Sequence, residues 1–262
     1  MRLELISRAP ATGAHATPLL FVHGAWHGAW CWDEHFLGHF AQQGFAAHAL
    51  SLRGHGGSDG RSRLRWTRLA HYVADVAQVV GQLPQPPVIV GHSMGGAVVQ
   101  KYLETHVAPA GVLLASMPPA GVLGATLRLA RRHPIVVAKA GATLDLSALV
   151  ATPQLVREVL FSSSLPEDEV RSYGERLQQE SYLAFLDMLA LDLPRPHRVT
   201  TPLLVLGAAR DALFRLNEVE ATAHAYRTQA VVFADMAHDM MLEAGWRTVA
   251  DRIVAWLTDR GL

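Results

Sequence analysis

The sequence has only one cysteine, Cys31, in 262 residues, so no disulfide can form within the chain. A lone cysteine is compatible with a reducing compartment. The first ten residues carry Arg2, Glu4 and Arg8, and no apolar stretch follows that could form the core of a signal peptide. We therefore expect a cytoplasmic protein.

An excess of charge of one sign is also missing, because 23 Lys and Arg residues balance 23 Asp and Glu residues. This balance gives no electrostatic reason to expect a nucleic acid or an anionic membrane as partner. An unbroken apolar run is missing too. Residues 107–127 carry no charge, but Pro109, Pro118 and Pro119 interrupt them. A buried strand followed by a loop therefore fits this stretch better than a helix in lipid.

Half of the residues are apolar, and the length suits one large α/β domain. Continuous apolar runs predict strands buried on both faces. These runs are 19–22, 46–50, 88–90, 111–115, 203–206 and 230–233, with a weaker candidate at 3–6. Helical patterns at 66–83, 94–104 and 243–257 alternate with them. The alternation predicts a mostly parallel, doubly wound sheet of about eight strands.

Residues 118–198 break this alternation. Helical patterns occur there at 126–132, 153–161, 167–179 and 181–191, with no clear strand. So much helix is too long for one connection between parallel strands, although ordinary crossover helices are the alternative interpretation. We expect residues 1–117 and 199–262 to form the sheet domain and residues 118–198 to form a helical cap inserted over one end of it.

The most informative motif is Gly91-His92-Ser93-Met94-Gly95, a G-x-S-x-G pattern that directly follows a predicted strand and precedes a predicted helix. A sharp strand-to-helix turn would project the Ser93 hydroxyl above the sheet, and the flanking glycines would let other backbone pass close by. The helix start offers amide donors near a developing negative charge. Ser93 is therefore the candidate nucleophile.

The reaction of such a serine needs two donors for the oxyanion. One is the amide of the residue after the serine, which is Met94, and the other comes from a loop after an earlier strand. The turn His23-Gly24-Ala25-Trp26 follows the strand at 19–22. Ala25 is the candidate second donor, with Trp26 as the alternative.

In this arrangement the acid and the histidine follow the serine along the chain, so we expect them after the last two predicted strands. Asp211 follows the strand at 203–206 after a glycine turn, and His238 follows the strand at 230–233 after a short loop. We predict that His238 is the general base and that Asp211 orients it. Asp235 and Asp239 are rival acids, but both lie too near His238 in sequence to orient it easily.

Together, His23-Gly24, the segment from Leu52 to Ser58, the serine motif, Asp211 and His238 resemble the α/β-hydrolase superfamily over most of the chain outside residues 118–198. The resemblance implies the fold and the catalytic triad, not the reaction. Its members include carboxylesterases, lactonases, C–C bond hydrolases, haloperoxidase-like enzymes and hydroxynitrile lyases. The lyases use an added lysine, and neither Lys101 nor Lys139 lies where one is expected.

We expect hydrolysis of a carboxylic ester or related acyl bond of a small apolar substrate, without a cofactor or metal. A C–C bond hydrolase or lyase with the same triad is one alternative, and a ligand-binding receptor on the same fold is another. The turn His23-Gly24-Ala25-Trp26 is named the oxyanion turn below. Side chains in or next to this turn and side chains of the predicted cap are candidates for the substrate pocket, namely Trp26, His27, Phe161, Phe185 and Met188.

Overall fold

The computed structural model describes residues 1–10 and 13–262. Seven strands in this part of the chain form one sheet: β1 Leu5–Arg8, β2 Leu19–Val22, β3 Ala47–Leu50, β4 Val88–His92, β5 Gly111–Leu114, β6 Leu203–Ala208 and β7 Ala230–Phe233. Their spatial order is β1-β3-β2-β4-β5-β6-β7. Only the β1–β3 pair is antiparallel among these neighbours. The prediction of a mostly parallel sheet is confirmed, with seven described strands in place of about eight.

The described residues also form eleven α-helices. They are α1 Trp30–Asp33, α2 Phe36–Gln42, α3 Leu69–Val80, α4 Met94–Leu103, α5 Leu123–Arg132, α6 Pro134–Thr143, α7 Pro153–Leu160, α8 Glu167–Arg176, α9 Tyr182–Leu186, α10 Leu216–Ala225 and α11 Trp246–Thr258. Short 3-10 helices occupy Arg61–Trp66, Leu146–Val150 and Pro196–Arg198, and a π-helix occupies Asp187–Leu191.

The sheet reverses its winding direction at β2, which lies between β3 and β4. Because crossovers between parallel strands are right-handed, α2 and α3 must then cover opposite faces of the sheet. α4 and α10 belong to crossovers that run in the same direction along the sheet as the crossover containing α3, so they cover the same face as α3. α11 packs against α2. Ligands bind beyond the carboxyl ends of strands at such a reversal. The fold therefore favours a site at the ends of β2 and β4.

Several predicted elements have different ends in the structure, β1 and α3 among them. β1 begins at Leu5, two residues later than predicted, because its four residues pair antiparallel with β3. The helix predicted over 66–83 is shorter, since Trp66 ends a 3-10 helix and α3 begins at Leu69. The Leu69 amide donates to the Asp187 carboxylate at 2.9 Å, a partner remote in sequence that fixes where α3 starts.

Between β5 and β6 the chain forms five α-helices and no strand. The uncharged residues 107–127 contain β5, a loop and the start of α5. The longest helix among the described residues is α11, with 13 residues, and none of the helices there has both the length and the apolar character needed to cross a bilayer.

Candidate active site

Ser93 occupies a strained turn between β4 and α4. Its φ of 52° and ψ of −116° are unusual for a residue with a side chain. Such a conformation costs roughly 1–3 kcal/mol and persists only where the surroundings enforce it. The backbone around Ser93 is closely packed, since a side chain at Gly95 would collide with the carbonyl oxygens of Val22 and His23. The first turn of α4 can therefore pack directly against the end of β2.

The structure brings Ser93, His238 and Asp211 into one chain of hydrogen bonds. The Ser93 Oγ lies 2.8 Å from His238 Nε2, and His238 Nδ1 lies 2.8 Å from Asp211 Oδ2. A carboxylate only accepts, so the proton of a neutral His238 ring is on Nδ1 and Nε2 is free to accept the serine proton. The other Asp211 oxygen accepts from the amides of Leu213 and Phe214, at 2.7 and 3.0 Å.

His238 is fully buried, yet its pKa lies above the ordinary value of 6.5. Burial by itself lowers the pKa of the ring, but the charge of Asp211 and the hydrogen bond to it raise the pKa further, with a smaller contribution from Asp239. The arrangement therefore stabilises the imidazolium form that arises when His238 takes a proton.

The turn after β2 lies directly beside the serine. A Cβ atom at Gly24 would lie 3.0 Å from the Cβ of Ser93, so only glycine permits this approach. Ala25, Trp26 and Met94 line the same cavity as Ser93. Met94 is the first residue of α4, and the first amides of a helix have no intrahelical acceptor. Within the described residues, the Ala25 amide donates to no carbonyl oxygen either.

A cavity of about 280 Å³ opens in front of Ser93. Its wall comes from the oxyanion turn, from the loop after Asp211 and, for the larger part, from residues between β5 and β6. Of the predicted pocket residues, Trp26, Phe185 and Met188 line it. The indole of Trp26 also donates to the Leu146 carbonyl at 3.1 Å, which fixes the ring in the wall.

The other two predicted pocket residues, His27 and Phe161, do not line this cavity. Phe161 packs against Tyr173, with ring centroids 5.8 Å apart. His27 turns away from the cavity, and its Nδ1 donates to the Ala25 carbonyl at 2.7 Å. Position beside a motif indicated proximity to the site, but the direction of each side chain depends on packing.

Glu180 is the one charged side chain among the described residues that line the cavity. It accepts from the Tyr72 hydroxyl at 2.7 Å and lies 3.0 Å from His55 Nε2. Burial by itself raises the pKa of Glu180, but His55 and the hydrogen bonds lower it below its ordinary value. Nothing in the sequence pattern pairs His55 with Glu180, a residue 125 positions away.

Behind His238 lies a buried polar group formed by His27, His92 and Asp239, here named the rear cluster. Burial lowers the pKa of His92 to about 3, so its ring is neutral and its Nε2 donates to the His238 carbonyl at 3.0 Å. Asp239 was considered as a rival to Asp211, but its carboxylate lies 3.0 Å from His27 Nε2 and makes no hydrogen bond to His238.

One ligand atom each from His92, His238 and Asp239 lies within 4.8 Å of the others, a spacing compatible with a metal ion. Both ring nitrogens of His238 are already engaged, one by Ser93 and one by Asp211. The group therefore lacks a third free ligand.

Comparison with known proteins gives a consistent picture. The model of the alpha/beta hydrolase family matches residues 19–252. A non-heme chloroperoxidase of Burkholderia pyrrocinia is 36% identical over 114 residues, which cover 40% of this chain but only 38% of that protein. The pFDCC methylesterase MES16 of Arabidopsis thaliana is 28% identical over 206 residues, covering 74% of this chain and 77% of that one. The monoacylglycerol lipase of Paleococcus ferrophilus has a similar fold, with a TM-score of 0.73 at 20% identity, covering 99% of this chain and 100% of that one.

Proposed function

Because the chain belongs to the alpha/beta hydrolase family, we propose that it is a serine hydrolase that cleaves a carboxylic ester of a small, apolar substrate. The observation that carries the proposal is the continuous contact from Ser93 through His238 to Asp211, with 2.8 Å at each step. Ser93 acts as nucleophile, His238 as general base and then general acid, and Asp211 holds the imidazole in the required tautomer.

In the first half of the reaction, His238 Nε2 takes the Ser93 proton as Oγ attacks the ester carbonyl carbon. The resulting oxyanion is stabilised by the amide of Met94 and by that of Ala25, with Trp26 as the alternative donor. Collapse of the tetrahedral intermediate breaks the bond to the alcohol, which leaves with the proton held by His238. Water then attacks the acyl-Ser93 carbonyl by the same route, and the acid product leaves.

The cavity supports an apolar, uncharged substrate. No Lys, Arg or His side chain is among the described residues that line it, so an anionic group on the substrate would have no partner there. The ionised Glu180 would repel such a group as well. A volume of about 280 Å³ suits a short or medium acyl or alcohol group.

Residues 118–198 act in this proposal as the cap that completes the site. Most of the cavity wall comes from this region, including side chains of α5, α6 and α9. The cap is attached to the sheet domain by polar contacts, of which Asp187 with the half-exposed Arg68 and Glu180 with the buried His55 are two. The cap therefore sets the shape of the substrate, while the sheet domain supplies the reacting groups.

The test is hydrolysis of p-nitrophenyl esters from acetate to decanoate by the wild type and by Ser93→Ala, with thermal unfolding to check that both are folded. We expect turnover by the wild type and loss of at least about 10⁴-fold in kcat for the variant. A folded Ser93→Ala variant that retains most of its turnover would overturn the mechanism. A wild type that cleaves no ester but cleaves a β-diketone would favour a C–C bond hydrolase, and ligand-dependent stabilisation without turnover would favour a receptor.

A further inference from the structure

A buried histidine–aspartate contact connects the two loops on which the proposed reaction depends. His27 follows the oxyanion turn, Asp239 follows His238, and His27 Nε2 lies 3.0 Å from Asp239 Oδ2. The two side chains are 1% and 0% exposed. Neither lines the cavity and neither contacts Ser93 through a hydrogen bond, so the steps described above do not use them.

The two nitrogens of the His27 ring have different neighbours. A carbonyl oxygen only accepts, so the 2.7 Å contact of His27 Nδ1 with the Ala25 carbonyl requires a proton on Nδ1. Burial by itself raises the pKa of Asp239, but the nearby His27, His92 and His238 lower it below its ordinary value, and the carboxylate is ionised. The Asp239 carboxylate lies 3.0 Å from Nε2, the other nitrogen of the same ring, so His27 contacts both loops.

On the side of the oxyanion turn, the His27 ring fixes one peptide plane. Its hydrogen bond to the Ala25 carbonyl holds the peptide between Ala25 and Trp26. That peptide contains the Trp26 amide and directly follows the peptide that contains the Ala25 amide. Trp26 has a φ of 67°, a conformation that residues with side chains rarely adopt. The turn therefore needs outside support, and His27 provides it.

On the side of the base, Asp239 is the residue next to His238 and has little freedom. Its amide donates to the Leu160 carbonyl at 3.0 Å, and its carbonyl accepts from the Leu242 amide at 2.8 Å. His92 holds the carbonyl of His238 from the other direction, at 3.0 Å. The Asp239 carboxylate therefore projects from a fixed backbone position next to His238.

We propose that His27 and Asp239 are positioning residues, whose buried side-chain contact holds the oxyanion turn and the His238 loop at a fixed spacing. The amide donors and the general base must meet the same tetrahedral intermediate, and displacement of about 1 Å can cost roughly 100-fold in rate. The pair acts through Ala25 and His238 and touches no substrate atom. This inference rests on the proposed serine-hydrolase function.

The variants separate the two contacts of the ring. His27→Asn keeps a donor near the Nδ1 position for the Ala25 carbonyl and removes the contact with Asp239. His27→Gln keeps a donor near the Nε2 position and removes the bond to the turn. Asp239→Asn removes the negative charge at nearly constant shape. The double variant His27→Gln with Asp239→Asn leaves no buried charge, so it carries the test if a single variant fails to fold.

The chain contains a matched control pair. His39 Nε2 lies 3.0 Å from Asp251 Oδ1 between α2 and α11, and neither residue lines the cavity. His39→Asn and Asp251→Asn make the same chemical changes away from the site. We expect both to keep wild-type rates.

Two readouts are measured for each folded variant: kcat and KM for a p-nitrophenyl ester, and the rate at which a fluorophosphonate labels Ser93. The fluorophosphonate needs the base and the oxyanion donors but not the natural substrate. We expect kcat and the labelling rate to fall together by about 10- to 100-fold, with KM nearly unchanged. We also expect the kcat of the double variant to be no lower than that of its less active single variant, since either change breaks the same connection.

Folded variants that label and turn over at the wild-type rate, or that change only KM, would overturn the positioning role. A purely structural role would lower thermal stability while the folded fraction kept its kcat. A wild type that is neither labelled nor active on esters would instead refute the proposed function, and the positioning role would fall with it.

Discussion

The two sides of the Ser93–His238 pair differ in nearly every physical respect. In front lies a cavity of about 280 Å³, lined mainly by apolar side chains from residues 118–198. Behind lies the rear cluster of His27, His92 and Asp239, which is buried and consists of polar side chains in close contact. Apolar contacts are non-directional, whereas buried polar groups need defined partners at defined distances.

This difference predicts how each side responds to change. A substitution in the cavity should alter which substrate fits and leave the chemical step intact. A substitution among the buried polar residues should alter the rate or the stability and leave the choice of substrate intact. Substitutions at four positions test this division, and the first of them is at Asp211, which contacts His238.

The largest effect is expected for Asp211→Asn. An asparagine cannot hold His238 in the required tautomer, so kcat should fall about 10⁴-fold while the fold is retained. The pH dependence should change too, because only neutral His238 accepts the Ser93 proton. In the wild type burial lowers the pKa of His238, but the charge of Asp211, its hydrogen bond to the ring and the charge of Asp239 together keep that pKa above 6.5. We therefore expect kcat/KM to fall as the pH drops through the raised pKa.

Loss of the Asp211 charge removes the largest contribution that raises the pKa of His238. The acidic limb of the kcat/KM profile should therefore move to lower pH in the variant. Residual activity measured from about pH 5 to 9 checks the direction. A limb that stays in place would show that another group controls it.

A smaller effect, on stability, is expected for Glu243→Gln beside the rear cluster. The buried Glu243 carboxylate accepts from the Ser162 amide at 2.6 Å, the Ser162 hydroxyl at 2.8 Å and the Ala237 amide at 3.2 Å. A glutamine replaces one acceptor oxygen by a donor, so the free energy of unfolding should fall by about 1–3 kcal/mol. Urea unfolding measures it. A changed preference for ester length at unchanged stability would contradict the division between the two sides.

In the cavity, Ala125→Leu should change selectivity. Ala125 lies on α5 and lines the cavity, so three further carbon atoms there take up space that a long acyl chain would use. We expect kcat/KM for the decanoate ester to fall about 10-fold relative to the acetate ester. Ala142→Leu, at an exposed position of α6, is the matched control. An equal loss for all esters would mean that Ala125 supports the site rather than shapes the pocket.

The smallest effect is expected for Asp251→Asn. Its partner His39 is buried, but the Asp251 side chain is 58% exposed, so water screens the contact. Exposed ion pairs contribute at most about 1 kcal/mol, and the free energy of unfolding should change by no more than that. A larger loss would show that burial of one partner alone makes such a pair strong, and would weaken the use of this pair as a control.

The three predicted triad residues lie together in the structure, whereas only some of the predicted pocket residues line the cavity. Ser93, Asp211 and His238 were predicted from their places after strands, and the ends of parallel strands meet at one edge of a sheet whatever the loops do. Their distances in the structure support the roles proposed for them. His27 and Phe161 were placed in the pocket by position along the chain, and both point elsewhere.

The sequence by itself determined the mostly parallel sheet, the family and the residues that the strand ends present, because apolar periodicity and short turn motifs are local properties of the chain. Only the tertiary structure decided that His27 faces Asp239, that Glu180 faces His55 and Tyr72, and that residues 118–198 enclose an apolar cavity. These contacts join residues more than a hundred positions apart. No local pattern encodes such pairings, because they depend on how helices and loops pack against one another.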